Sequence, residues 1–184
     1  MLYSAGITHS KDSLIRLFVM EFKIYERRII LFRLLLGAII VISAVFLHLP
    51  LPVKGVIIAL GAWFLSSTDF PARIRADENN RKLNGHYPRL KYEFKNSYFT
   101  VIEGKSMNID YLKIEHLSFD NNFIYIFMGR SNAIMVDRAL IKAHIKDKDS
   151  LSFESFLENR SGKKFENTKS IISLNIFDLI DMLK

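Results

Sequence analysis

The sequence predicts an α+β membrane protein: a two-helix transmembrane hairpin followed by a small antiparallel meander sheet or partly open barrel closed by C-terminal helices. Three observations carry this. Residues 29–70 hold two apolar runs on either side of Pro50-Leu51-Pro52, residues 90–137 break into short aromatic and β-branched runs, and residues 151–184 return to helical spacing. The expected divisions are a cytoplasmic amphipathic segment over 1–28, the hairpin over 29–70, a basic linker over 71–89 and a cytoplasmic sheet domain with its helices over 90–184.

Residues 1–9 carry little pattern. From Ser10 the chain reads SKDSLIRLFVMEFKIYERR, with Ser10 or Ser13 as a helix cap and an apolar set that includes Leu14, Leu17, Phe18, Met20 and Phe22. A helix lying at the inner membrane surface is expected, although FVMEFKIYER alternates partly like a strand.

From Leu34 to Leu49 the only ionisable side chain is His48, and from Gly55 to Thr68 there is none. About 20 apolar residues cross the roughly 30 Å hydrocarbon core of a bilayer. The first helix reaches that length by including Ile29 to Phe32, with Arg33 snorkelling to the headgroups. The second starts near Leu51 or Pro52, with Lys54 at the outer surface, and runs to Phe70. A re-entrant or interfacial hairpin, or two core helices of a soluble protein, are the competing readings. The apolar segment begins after 28 residues and is followed at once by a second, unlike a cleaved signal peptide.

Gly55, Ala59, Ala62 and Ser66 form a small-residue stripe on the second helix, and Gly37 and Ala44 lie one heptad apart on the first. Small residues let membrane helices approach closely. These six are the expected packing residues, and they equally permit a homodimer.

The net charge of +7 raises the question of nucleic acid. The basic residues cluster beside the hairpin instead, with six against two acidic residues over 71–91. Excess Lys and Arg mark the cytoplasmic side, so both termini are expected in the cytoplasm of a two-pass cell-membrane protein, and no nucleic-acid partner is expected. Candidate contacts to the lipid bilayer are Arg27, Arg28, Arg33, Arg73, Arg75, Arg81, Lys82, Lys163 and Lys164. The chain has no cysteine, which agrees with a soluble part facing a reducing compartment.

After a polar stretch ending in Asn84-Gly85 and Pro88, read as a linker or short helix and a turn, five or six antiparallel strands are expected in meander order. Leu90, Tyr92 and Phe94 alternate with Lys91, Glu93 and Lys95, and Asn121-Asn122 and Arg130-Ser131 are hairpin separators. A twisted sheet must be covered on one face. Leu151 to Arg160 supplies a helix, ended by Ser161-Gly162. A final helix is expected over Ser170 to Lys184, with Ile172, Ile176, Leu179 and Leu183 on one face.

This order resembles the bacterial YcxB-like membrane proteins. The likeness is most specific in residues 92–157: an opening aromatic strand, the Tyr111 to Ile114 step, the aromatic strand Phe123 to Phe127, the strand Ile134 to Arg138, and a helix with Phe153 and Phe156. The family often has Trp or Pro where this chain has Tyr111 and Asp137. The resemblance implies a pleckstrin-homology-like cytoplasmic domain and no agreed activity.

Chemistry has no positive support in the sequence. The five histidines show no metal-ligand spacing. Gly104-Lys105-Ser106 resembles the end of a phosphate loop, but Phe99 stands where its first glycine belongs, so a hairpin turn is expected. Glu115 and His116 would point to opposite faces of a strand. No enzyme activity, cofactor or metal is expected. The function expected is a membrane-anchored interaction module that binds a protein partner or anionic lipid headgroups; the alternative is an immunity protein against a membrane- or wall-directed toxin.

Overall fold

The computed structural model describes residues 1–144 and 152–166, and within them the fold is α+β. The chain opens with a strand. Tyr3, Ala5 and Ile7 of β1 (Tyr3–Thr8) turn inward while Ser4, Gly6 and Thr8 alternate outward. β1 pairs antiparallel with β2 (Arg89–Phe94) along its whole length, from Tyr3 opposite Phe94 to Thr8 opposite Arg89. The two strands are neighbours in the sheet although the entire helical region lies between them in the chain.

That region leaves β1 through α1 (Lys11–Tyr25), continues through α2 (Arg27–Phe46) and α3 (Leu51–Ser66), and returns through α4 (Phe70–Leu83). Ser10 caps α1 in a reciprocal box with Ser13, satisfying donors that a helix start leaves free. Pro50 and Pro52 restrict the α2–α3 turn, and α4 ends at Asn84, whose φ of 50° is the left-handed conformation that stops a helix. Residues 71–89, expected as a linker or short helix, thus hold all but the first residue of a 14-residue helix that packs on α1.

α2 is long and apolar enough to cross a membrane, with a mean hydropathy of 2.8. The 16 residues of α3 are shorter, and α3 and α4 are bent by 64° about the break at Ser67 to Asp69. The exposed large apolar side chains concentrate on α2 and α3, among them Phe32, Leu35, Ile39, Ile42, Phe46, Leu51, Val56, Leu60 and Trp63.

The strands form two sheets rather than a closed barrel. One has the order β4-β3-β2-β1-β8, with β3 (Tyr98–Glu103), β4 (Lys105–Asp110) and β8 (Lys142–Ala143); the other has the order β7-β6-β5-β9, with β5 (His116–Phe119), β6 (Phe123–Phe127), β7 (Ala133–Asp137) and β9 (Phe165–Glu166). All pairings are antiparallel except β5 with β9. Six strands, β2 to β7, occupy the stretch where five or six were expected, but they divide into two meanders, β2-β3-β4 and β5-β6-β7, in separate sheets instead of one. Residues 1–28, expected as a separate segment, instead supply a strand to the domain. Glu103 pairs with Lys105 across Gly104, so Gly104-Lys105-Ser106 belongs to a hairpin.

Tyr92, Phe94, Phe99, Tyr111, Leu117, Tyr125 and Phe127 are fully or almost fully buried in one core. α5 (Phe153–Ser161) closes it through Phe153 and Phe156, whose rings lie 5.3 and 5.0 Å from that of Tyr3. Gly162, at φ 67°, ends α5 as expected. α1 closes the core elsewhere, through Met20 and Ile24. The helix expected over residues 170–184 lies outside the described residues.

Candidate functional site

Polar groups gather where α1 gives way to α2. Glu26 breaks the two helices, with φ −115° and ψ 30°, and its N–H still donates to the Phe22 carbonyl of α1. Tyr25, Glu26 and Arg27 therefore mark the border between the sheet domain and the apolar helices.

The β6–β7 turn reaches this border. Gly129, at φ 124°, and Ser131, at φ 60°, adopt conformations that extended residues do not, and they aim the turn at α1. Arg130 Nη1 lies 3.0 Å from Glu26 Oε1, and the Ser131 N–H donates to Glu21 Oε1 at 3.1 Å. Between turn and helices is a cavity of about 350 Å³. Phe18 and Phe22 form its apolar wall, and Glu21, Glu26, Arg75 and Arg130 supply charge.

Tyr25 joins the cavity to a second cluster. Its hydroxyl donates to Glu115 Oε2 at 3.1 Å, and its ring meets that of His116 edge-on at 5.2 Å. Burial, reinforced by the Glu115 carboxylate, pushes the phenol up to about 12, so Tyr25 remains a neutral donor near pH 7. Glu166 of β9 accepts from both His116 Nδ1 and Arg27, tying β9 and β5 to the start of α2. Glu115 and His116, expected on opposite faces, thus both contact Tyr25: Glu115 precedes β5, so strand alternation does not govern it.

Arg33 does not extend free towards solvent. It donates to the carbonyl and the hydroxyl of Ser67, both at 3.1 Å, and lies over Phe64 and Trp63 at 5.4 and 5.9 Å. Beside it Asp69, 2% exposed, accepts from Arg73 Nε at 2.9 Å. Arg33 Nε and Asp69 Oδ1 are buried without a hydrogen-bond partner among the described residues.

The other basic candidates are dispersed. Arg28 is exposed at the start of α2, Arg75 lines the cavity, and Arg81 and Lys82 lie in the last turn of α4. Lys163 and Lys164 are exposed between α5 and β9, and Lys164 pairs with Glu158 at 2.9 Å.

Of the expected packing residues, Gly37 and Ala44 are buried on α2, whereas Gly55, Ala59 and Ala62 are exposed and Ser66 is half-buried. α3 instead turns Gly61 towards α2. One glycine per helix at the crossing point suffices for close approach, and the larger side chains of Ile40, Val41 and Leu65 fill the space around it. The small-residue stripe therefore lies off the contact.

No protein-family model, curated protein or solved structure matches the chain. Among the described residues no group of three or more His, Asp or Glu is arranged to hold a metal ion.

The grouping of Glu21, Glu26, Glu115, Arg130, Ser131 and Glu166 escapes sequence reasoning because four separate segments bring them together. A signal was present for the helical part alone: Phe18, Glu21, Phe22 and Tyr25 fall at i, i+3, i+4 and i+7 on one face of α1.

Proposed function

We propose that the chain is a non-enzymatic, membrane-anchored interaction module. In this reading α2 and α3 form a two-span anchor, both termini lie in the cytoplasm, and the basic elements at the foot of the anchor meet anionic headgroups. The observation that carries it is topological. The apolar helices are inserted between two paired strands, so the anchor and the sheet domain share one framework.

The bend between α3 and α4 supports the lipid contact. With the hairpin upright, a helix turned by 64° lies nearer the membrane plane than its normal. At 1.5 Å per residue, α4 then climbs only about 8 Å from Phe70 to Lys82, which is about one Debye length at physiological salt. Arg73, Arg75, Arg81 and Lys82 stay within reach of the surface, where each basic residue contributes up to about 1 kcal/mol. The YcxB-like resemblance belongs to the same proposal.

Labelling with a membrane-impermeant maleimide tests it, because the chain has no native cysteine. Leu51→Cys, in the α2–α3 turn, is expected to label in intact cells, and Ser106→Cys, on exposed β4, only after lysis. Labelling of Ser106→Cys from outside overturns the cytoplasmic placement; absence of Leu51→Cys labelling until lysis overturns the two-span anchor.

A further inference from the structure

The cavity at the α1–α2 border has a balanced charged lining, Glu21 and Glu26 against Arg75 and Arg130. Glu26 and Arg130 already neutralise each other, so a bare phosphate on Arg75 would leave the Glu21 carboxylate uncompensated in a partly enclosed space, and an amine alone on Glu21 would leave the Arg75 guanidinium.

The groups are also unequally committed. Glu26 and Arg130 hold each other at 3.0 Å. Glu21 spends Oε1 on the Ser131 N–H, while Oε2 has no partner among the described residues. Arg75 likewise makes no hydrogen bond or ion pair with any of them. The cavity therefore presents one free carboxylate oxygen and one free guanidinium, beside the apolar wall of Phe18 and Phe22. Its volume of about 350 Å³ is at the small end of ligand cavities, which run from roughly 300 to 1,000 Å³.

We propose that this cavity binds the headgroup of a zwitterionic aminophospholipid of the phosphatidylethanolamine class. Arg75 takes the phosphate through its planar fork, a geometry suited to bidentate contact. Glu21 Oε2 accepts from the primary ammonium, and Phe18 and Phe22 flank the glycerol. A choline headgroup has no N–H to give Glu21, and a glycerol headgroup has no cation. The inference rests on the membrane anchoring proposed above, since the cavity adjoins the residue at which α2 begins.

The test uses the full chain in vesicles of equal phosphatidylethanolamine, phosphatidylcholine and phosphatidylglycerol, extracted in mild detergent, with co-purifying lipid read by native mass spectrometry. Phosphatidylethanolamine is expected to be enriched about ten-fold over both others, the scale of one charge-assisted hydrogen bond. Glu21→Gln is expected to bring retention towards parity, and Arg75→Gln to lower retention of phosphatidylethanolamine itself by removing the phosphate contact. Equal or greater retention of phosphatidylglycerol, enrichment unchanged in Glu21→Gln, or retention unchanged in Arg75→Gln overturns the assignment. Soluble phosphoethanolamine that raises the melting temperature as much as the lipid does assigns the cavity to a free metabolite and also overturns it. Fractionation of the cells that produce the chain separates the two proposals: a membrane-bound chain without lipid preference defeats this inference alone, whereas a chain in the soluble fraction defeats the anchoring beneath it.

Discussion

Gly37 and Gly61 meet where α2 and α3 cross, with no room for a methyl group on either. A Cβ on Gly61 would lie 3.0 Å from the Gly37 carbonyl oxygen, and a Cβ on Gly37 3.0 Å from the Gly61 carbonyl oxygen. The obstruction on each side is backbone, which cannot rotate away. The added Cβ of Gly61 would also lie 2.7 Å from Val41 Cγ2.

Gly61→Ala is therefore expected to force the helices apart and destabilise the chain by about 1–3 kcal/mol, the usual scale of overpacking. Ala62→Leu, one residue away on an exposed position, is expected to change stability by less than about 0.5 kcal/mol. Thermal unfolding of the two variants in the same detergent decides which face of α3 packs on α2. A larger loss for Ala62→Leu would return the contact to the small-residue stripe.

The position of β1 has a consequence for dissection of the chain. A fragment of residues 90–184 lacks β1, with buried Ile7, and α1, with buried Met20 and Ile24. At about 1.5–3 kcal/mol for each fully buried side chain, these three alone approach the whole marginal stability of a domain, about 5–15 kcal/mol. That fragment is expected not to fold. A chain in which a flexible Gly/Ser linker replaces residues 27–69 keeps β1, α1, α4 and the sheets. It is expected to be soluble, with dispersed amide signals and a cooperative unfolding transition. Comparable folding of the 90–184 fragment would show that β1 and α1 are dispensable.

The apolar runs, the two strand meanders and the helix after them were legible because each rests on local pattern: apolar length, period-two alternation in Leu90 to Phe94, and a Gly162 stop. β1 was harder. Its inward residues, Tyr3, Ala5 and Ile7, do alternate, but one is a small alanine and Gly6 weakens the strand signal. The decisive fact, that Thr8 stands opposite Arg89, has no local trace across so long a separation. The basic residues were visible as a group, and their acidic partners were not. Glu26 meets Arg130, and Glu166 meets Arg27 and His116, only after the β6–β7 turn and β9 have been placed against α1. On α3 the spacing of small residues marked a plausible face, and packing chose another, because the crossing point is set by both helices.

His9 links folding to pH. It lies just after β1, 6% exposed, with Nδ1 sharing a hydrogen bond of 3.2 Å with Ser13 Oγ at the head of α1. Burial holds its imidazole below the ordinary value of 6.5, because the charged form loses hydration there. The unfolded chain therefore binds a proton at a higher pH than the folded chain does. Between the two values stability rises with pH, so this contribution is present in full above about 6.5 and is lost as pH falls through the lower, folded value. His9→Gln keeps a side chain able to bond Ser13 and removes the titration. The melting temperature of the native chain is expected to fall more than that of His9→Gln between about pH 7 and pH 5. Glu158, held below the usual carboxylate range first by the Phe165 N–H and then by Lys164, is common to both proteins, so the difference between the two curves isolates His9. Parallel curves would mean that the His9 site opens to water before the chain unfolds.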